Sequence, residues 1–210
     1  NNLIMKKLIL LLLFVPLVSF GQINAITDKG DEVLLYENGS WTYKSQDKVN
    51  TGKISINKTS YKKGKNSNFL VKSSKTKAGV YIDPSKWSFE KNKVSGDAEY
   101  TFNLRGEDLY GQIINERIEV PLETMRKLAL ENFSGVMSDA KIVKSDYRNV
   151  NGLEVLMVHM EGSNDGIKVF YYGYYSNFGG TNQLVVYSTQ ALFDEYFDEI
   201  QTFLNGLILF

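Results

Sequence analysis

Cysteine is absent from the 210 residues. That excludes disulfides, thiolate metal sites, cysteine nucleophiles and lipidation on cysteine. A single histidine, His159, excludes a multi-histidine metal centre and leaves few routes to a histidine-assisted nucleophile. No serine sits in a Gly-x-Ser-x-Gly elbow, and no glycine-rich loop matches a phosphate cradle. No net charge marks the chain as a polyanion or polycation, with 24 basic and 24 acidic residues. Its longest apolar run, Leu8 to Val15, stops at Pro16 and falls short of the roughly 20 residues that span a bilayer.

What is present is apolar surface. With 43% hydrophobic and 13% aromatic residues, the chain can bury a core. Met5, Lys6 and Lys7 precede the apolar run, and Ser19 and Gly21 occupy the −3 and −1 positions of a cut before Gln22. A basic start, short apolar centre and small-residue exit predict a secretory signal peptide over residues 1–21. The rival reading is an uncleaved anchor. Signal removal leaves no transmembrane helix and predicts an exported protein, periplasmic or extracellular.

Three regions follow. Residues 22–44 predict a β-hairpin, with Val33 to Tyr36 on one strand, Trp41 and Tyr43 on the other and Asn38-Gly39 as the turn. Residues 45–66 predict a basic linker. From Lys44 to Lys77 there are ten lysines and one acid, Asp47. Residues 67–210 predict the main domain. Its strands fall near 69–71, 80–82, 100–104 and 109–120. Pro121 opens a helix carrying Leu122, Met125, Leu128, Ala129 and Phe133 on one face. A four-strand meander follows, turning at Asn151-Gly152, Asp165-Gly166 and Gly179-Gly180. A last helix, capped by Thr189 and ended by Gly206, bears Leu192, Phe193, Tyr196, Phe197, Ile200, Phe203, Leu204 and Leu207 on one stripe. Between Leu153 and Met160 both alternating faces are apolar, so that strand is covered on both sides. The expected fold is α+β: an antiparallel sheet of six to seven strands with one helix on each face.

This order of elements resembles the PsbP/DcrB-like sandwich superfamily over residues 67–208. The resemblance is carried by Val80-Tyr81-Ile82-Asp83-Pro84 with Trp87, Asn151-Gly152-Leu153-Glu154, Gly166 with Phe170-Tyr171-Tyr172, and Phe203-Leu204-Asn205-Gly206-Leu207. Members include an extrinsic photosystem subunit, a Ran-binding import factor and bacterial envelope proteins. The resemblance implies an accessory or binding protein and brings no functional residue with it. The hairpin at Gly30 to Tyr43 looks like one common in secreted proteins of Bacteroidetes.

Four constellations could carry function. His159 shares a strand face with Glu161, as a general base with its orienting acid or as a hydrogen-bonded strand-end histidine. Glu107-Asp108, near Glu116 and Glu119, could hold a hard cation, but no loop has the alternating acids of a dedicated calcium site. Tyr171, Tyr172, Tyr174 and Tyr175 read as sheet packing or as a glycan- or small-ligand-stacking platform. Lys53, Lys58, Lys62, Lys63 and Lys65 read as a contact for an anionic partner or as a solvated linker lying back on the acidic half. Residues 105–210 hold eight basic and fifteen acidic residues. The function expected is that of an exported, non-enzymatic accessory protein binding another envelope component, with no cofactor and no metal. Peripheral contact with anionic polymers or lipid is compatible with it, at most ~1 kcal/mol per lysine. Nucleic acid is not expected as a partner. The alternatives are a glycan or small-ligand module on the tyrosine strand and, behind it, an unrecognised hydrolase.

Overall fold

The structure is a computed structural model that describes residues 23–27, 32–36, 39–43, 54–92 and 98–210. The signal segment 1–21 and Lys53 lie outside the described residues. The chain divides into two compact units, 1–47 and 48–210.

The first unit is a three-stranded antiparallel sheet of β1 (Ile23–Ile26), β2 (Glu32–Leu35) and β3 (Trp41–Tyr43) in that order. The expected hairpin is its β2–β3 pair, and Gly39 takes the positive φ of +79° that its turn requires. The added β1 gives the pair a third strand, which a two-stranded hairpin in water needs for stability.

The second unit is built on an eight-stranded sheet. Its strands are β4 (Ser55–Tyr61), β7 (Trp87–Lys91), β8 (Ala98–Leu104), β9 (Tyr110–Glu116), β10 (Ser138–Val150), β11 (Leu153–Asn164), β12 (Ile167–Ser176) and β13 (Thr181–Thr189). They lie in the order β4-β10-β11-β12-β13-β9-β8-β7. The meander β10 to β13 is the expected one. Asn151 and Gly152 have φ of +53° and +87°, and Asp165 and Gly166 +49° and +79°, so both tight turns are of the mirror-image type that matches strand twist.

Three features differ from the sequence expectation. The sheet has eight strands rather than six or seven, and it is mixed, because β4 pairs parallel to β10. β4 lies within the segment read as linker. Its exposed polar residues and Lys58 suit an edge strand, whose outer side must discourage further pairing. The pair β5 (Phe69–Lys72) and β6 (Ala78–Ile82) does not join the large sheet. It forms a second sheet with β14 (Leu207–Leu209), in the order β14-β6-β5. β14 starts directly after Gly206, which was expected only to end the helix. A Cβ on Gly206 would lie 2.0 Å from the Tyr81 carbonyl oxygen, so glycine is what lets the chain turn back against β6.

Two helices complete the unit: α1 (Leu122–Ser134) and α2 (Gln190–Leu204). They cover opposite faces of the large sheet. On β12, consecutive side chains point to opposite faces. Tyr171 meets Phe133 of α1 at 5.9 Å and Tyr172 meets Phe193 of α2 at 5.5 Å. The doubly covered strand is β11, with Val155, Leu156, Met157, Val158 and Met160 all buried. On the α2 face the small sheet adds Val71, Val80, Ile82 and Leu207 to a cluster centred on Trp87, Phe102 and Phe203. Trp87 stacks on Phe203 at 4.2 Å, and its indole N–H donates to Glu199 Oε1 at 2.9 Å. Each fully buried side chain of this size contributes about 1.5–3 kcal/mol. No helix among the described residues is long and apolar enough to cross a membrane.

Candidate functional site

The expected stacking platform is not at the surface. Tyr172, Tyr174 and Tyr175 are 3%, 0% and 0% exposed. Tyr171 is half-buried between Phe133 and Tyr187. The physical reason is the double covering of the sheet. Alternation sends Tyr172 and Tyr174 under α2, and Tyr171 and Tyr175 to the α1 face. Burial raises the pKa of all four phenols, that of Tyr171 to about 12.

What the two α2-side tyrosines meet is an arginine. Asp146 and Arg148 are two apart on β10 and so share a face. Arg148 donates from Nε to Asp146 Oδ1 and from Nη2 to Oδ2 at 3.2 Å. Its Nη1 donates to the hydroxyls of Tyr172 and Tyr174, each at 3.1 Å. Gln201 of α2 donates to the Tyr172 oxygen, and the Tyr174 hydroxyl donates to Asn205 Oδ1. The guanidinium also lies 5.1 Å from the centre of the Tyr61 ring, which belongs to β4. One cation thus joins β4, β10, β12 and α2. Burial opposes its charge, but the Asp146 hydrogen bonds win and hold it protonated. Four of the five guanidinium N–H bonds are used within the cluster, which makes it a structural peg.

His159 does lie on the face of Glu161, with Nε2 3.9 Å from Oε1. It is buried and stacks on Phe193 at 4.5 Å, with the Tyr172 ring edge-on at 5.4 Å. Burial lowers its pKa, only partly opposed by Glu161 and Asp194. The imidazole is therefore neutral at pH 7 and covered by α2. Glu107 and Asp108 border an open, shallow cleft of about 510 Å³ with Asn103, Gly106, Tyr110 and Leu192. Glu116 and Glu119 are exposed, and Glu119 accepts the Gly179 N–H. Among the described residues no three histidine, aspartate or glutamate side chains gather as a metal-holding group.

The lysines divide by role. Lys58, Lys62 and Lys65 are exposed. Lys63 is tied down: its N–H donates to Asn151 Oδ1, and its Nζ donates to the Ser67 carbonyl and lies 4.9 Å from the Tyr81 ring centre. Lys72 makes the matching contact with Phe210, at 4.5 Å. Val71, Val80 and Ile82 of the small sheet point into the core, so the alternate residues Leu70, Lys72 and Tyr81 form its outer face. That face is studded with cations seated on rings, each such contact contributing about 0.5–1 kcal/mol where exposed. The sequence does not bring Lys72, Tyr81 and Phe210 together on one face. The alternation of β5 and β6 signals an outer face, but nothing local shows that β14 would bring Phe210 beside Lys72.

No family model matches the sequence, and no curated protein sequence does either. Similarity appears in three dimensions. Cyanobacterial PsbP (CyanoP) from Synechocystis sp. PCC 6803 superposes with a TM-score of 0.51 at 12% identity, covering 68% of this chain and 92% of its own. The fold is PsbP-like. A protein of unknown function from Pseudomonas aeruginosa, PA94, aligns with a TM-score of 0.38 at 13% identity over 62% of this chain and 89% of its own. At these identities the PsbP-like likeness is one of fold, and a fold hosts many functions. The outer face of the small sheet has to be read on its own chemistry.

Proposed function

We propose that the chain is an exported, non-enzymatic accessory protein that binds an acidic envelope protein through the basic outer face of its small sheet. The observation that carries this is the pairing of Lys63 with Tyr81 and of Lys72 with Phe210, with Lys62 and Lys65 exposed either side of Lys63 in sequence and Lys58 exposed on β4. Rings that hold ammonium groups in place lower the entropy cost of meeting a carboxylate surface. The Arg148 network and His159 both lie under α2, where they are taken up in packing. Export rests on the basic, apolar and small-residue segments of residues 5–21.

The test is capture from envelope extract by the immobilised chain from residue 22 onward and by a variant with Lys58, Lys62, Lys63, Lys65 and Lys72 changed to Gln. A defined acidic protein, held at low salt by the first and lost by the second, is the expected result. Retention by both overturns the basic-face assignment. Binding only to anionic vesicles or envelope polymers replaces the protein partner with a polyanionic surface.

A further inference from the structure

The two ends of the eight-stranded sheet differ. At one end β4 is mostly polar apart from an exposed Ile56, and it presents Lys58, a charge of the kind that protects an edge. At the other end β7 pairs with β8 and, among the described residues, with nothing on its other side. Lys86 accepts from Arg105 and Asn92 donates to Glu99, so the even-numbered residues of this segment bond to β8. In an antiparallel ladder the alternate residues then direct both N–H and C=O away from that partner. These are Trp87, Phe89 and Lys91. The Trp87 N–H is taken by the Asp83 carbonyl. The paired backbone groups of Phe89 and Lys91, and the Trp87 carbonyl, face the open side.

The side chain at the middle of this edge is apolar. Phe89 is 41% exposed and lies 5.4 Å from Phe69 of β5, itself 44% exposed. Behind them Phe102 and Phe203 anchor the pair to the core. Unpaired backbone groups call for a strand, and two adjoining phenylalanines call for an apolar one.

We propose that β7 is a self-association edge, pairing antiparallel with β7 of a second copy about a two-fold axis at Phe89. β7 suits itself as a partner. With Phe89 opposite its own copy, two reciprocal N–H···O bonds form at the axis, and each Lys91 N–H reaches a Trp87 carbonyl of the other copy. Residues opposite one another share a face, so the Phe69–Phe89 pairs of the two copies merge into one cluster of four rings. Glu90 falls opposite Ser88 and Lys91 opposite Trp87, so no like charges oppose one another. The result is a continuous sixteen-stranded sheet with an isologous interface.

The absence of cysteine makes the test clean. Hydrogen-bonded antiparallel partners have Cα atoms about 5.5 Å apart, within disulfide range. Phe89→Cys is therefore expected to form a disulfide-linked dimer on mild oxidation. Lys91→Cys is the control, since the two copies of residue 91 lie four positions apart along the strand, about 13 Å. Sedimentation equilibrium of the chain from residue 22 onward should show a reversible dimer, weakened at least tenfold by Phe89→Lys with an unchanged circular dichroism spectrum. A monomer at all concentrations with no crosslink at residue 89 overturns the proposal. A crosslink at residue 91 but not at 89, or a dimer indifferent to Phe89→Lys, overturns it as well. Protection of the β7 amides from hydrogen exchange only after adding envelope extract assigns the edge to a foreign strand instead and also overturns it.

Discussion

Asp146 and Arg148 stand two residues apart on one strand and meet as a two-pronged ion pair beneath α2, both almost fully buried. Taking two charges out of water is costly, and the structure offsets the cost with hydrogen bonds to Tyr172 and Tyr174. The pair therefore stabilises less than its geometry suggests, while breaking it is expensive. Asp146→Ala leaves a buried uncompensated guanidinium and should cost about 3–5 kcal/mol. The double variant Asp146→Leu with Arg148→Met should cost less than Asp146→Ala alone. Urea unfolding followed by circular dichroism measures both; equal losses would contradict the peg assignment.

His159 sets a pH dependence. Its folded pKa lies below the ordinary 6.5 because burial disfavours the imidazolium, with Glu161 and Asp194 opposing and Lys144 reinforcing the shift. The unfolded chain thus takes up a proton at a higher pH than the folded one. Stability from this group is complete above about pH 6.5 and declines as pH falls below it, until the folded pKa is reached. His159→Phe preserves the stack on Phe193 and removes the proton. Thermal melts between pH 7.5 and 5 should show the wild type losing more stability than the variant.

Gly206 is the third point of test. Gly206→Ala places a methyl group 2.0 Å from the Tyr81 carbonyl oxygen and must push β14 away from β6. The expected loss is about 1–3 kcal/mol, the range of overpacked sites. Hydrogen exchange should show faster opening of residues 79–81 and 207–209 than of the meander. Uniform acceleration across both sheets would mean that the small sheet has no separate stability.

Much of this architecture is written in local patterns. Val155 to Met160 is apolar on both alternations, which requires cover on both faces, and that cover is α1 and α2. Asn151-Gly152 and Asp165-Gly166 are explicit because positive φ is a property of two residues. The unread parts are relational. β4 buries little and leaves no periodic signature, so its polar residues and Lys58 resemble a linker. β5 and β6 form a recognisable hairpin, but no local feature says which sheet it joins. The tyrosines were legible as a strand and ambiguous as a surface. Their hydroxyls point to Arg148, whose role appears only once Asp146 beside it is seen to share its face.

The pairings that close the second unit are also its longest in sequence. Gly79 pairs with Ile208, and Ile56 with Tyr147. Contacts this remote bring no reward until the loop between them has been closed, so they form late, and their share of non-local pairing slows the whole reaction. The meander of β10 to β13, joined by two two-residue turns and one four-residue loop, can assemble first from neighbours. The basic outer face, made of β5, β6 and Phe210, then exists only in the last folded state. A chain that has collapsed but not finished carries Lys72 without the Phe210 ring that seats it.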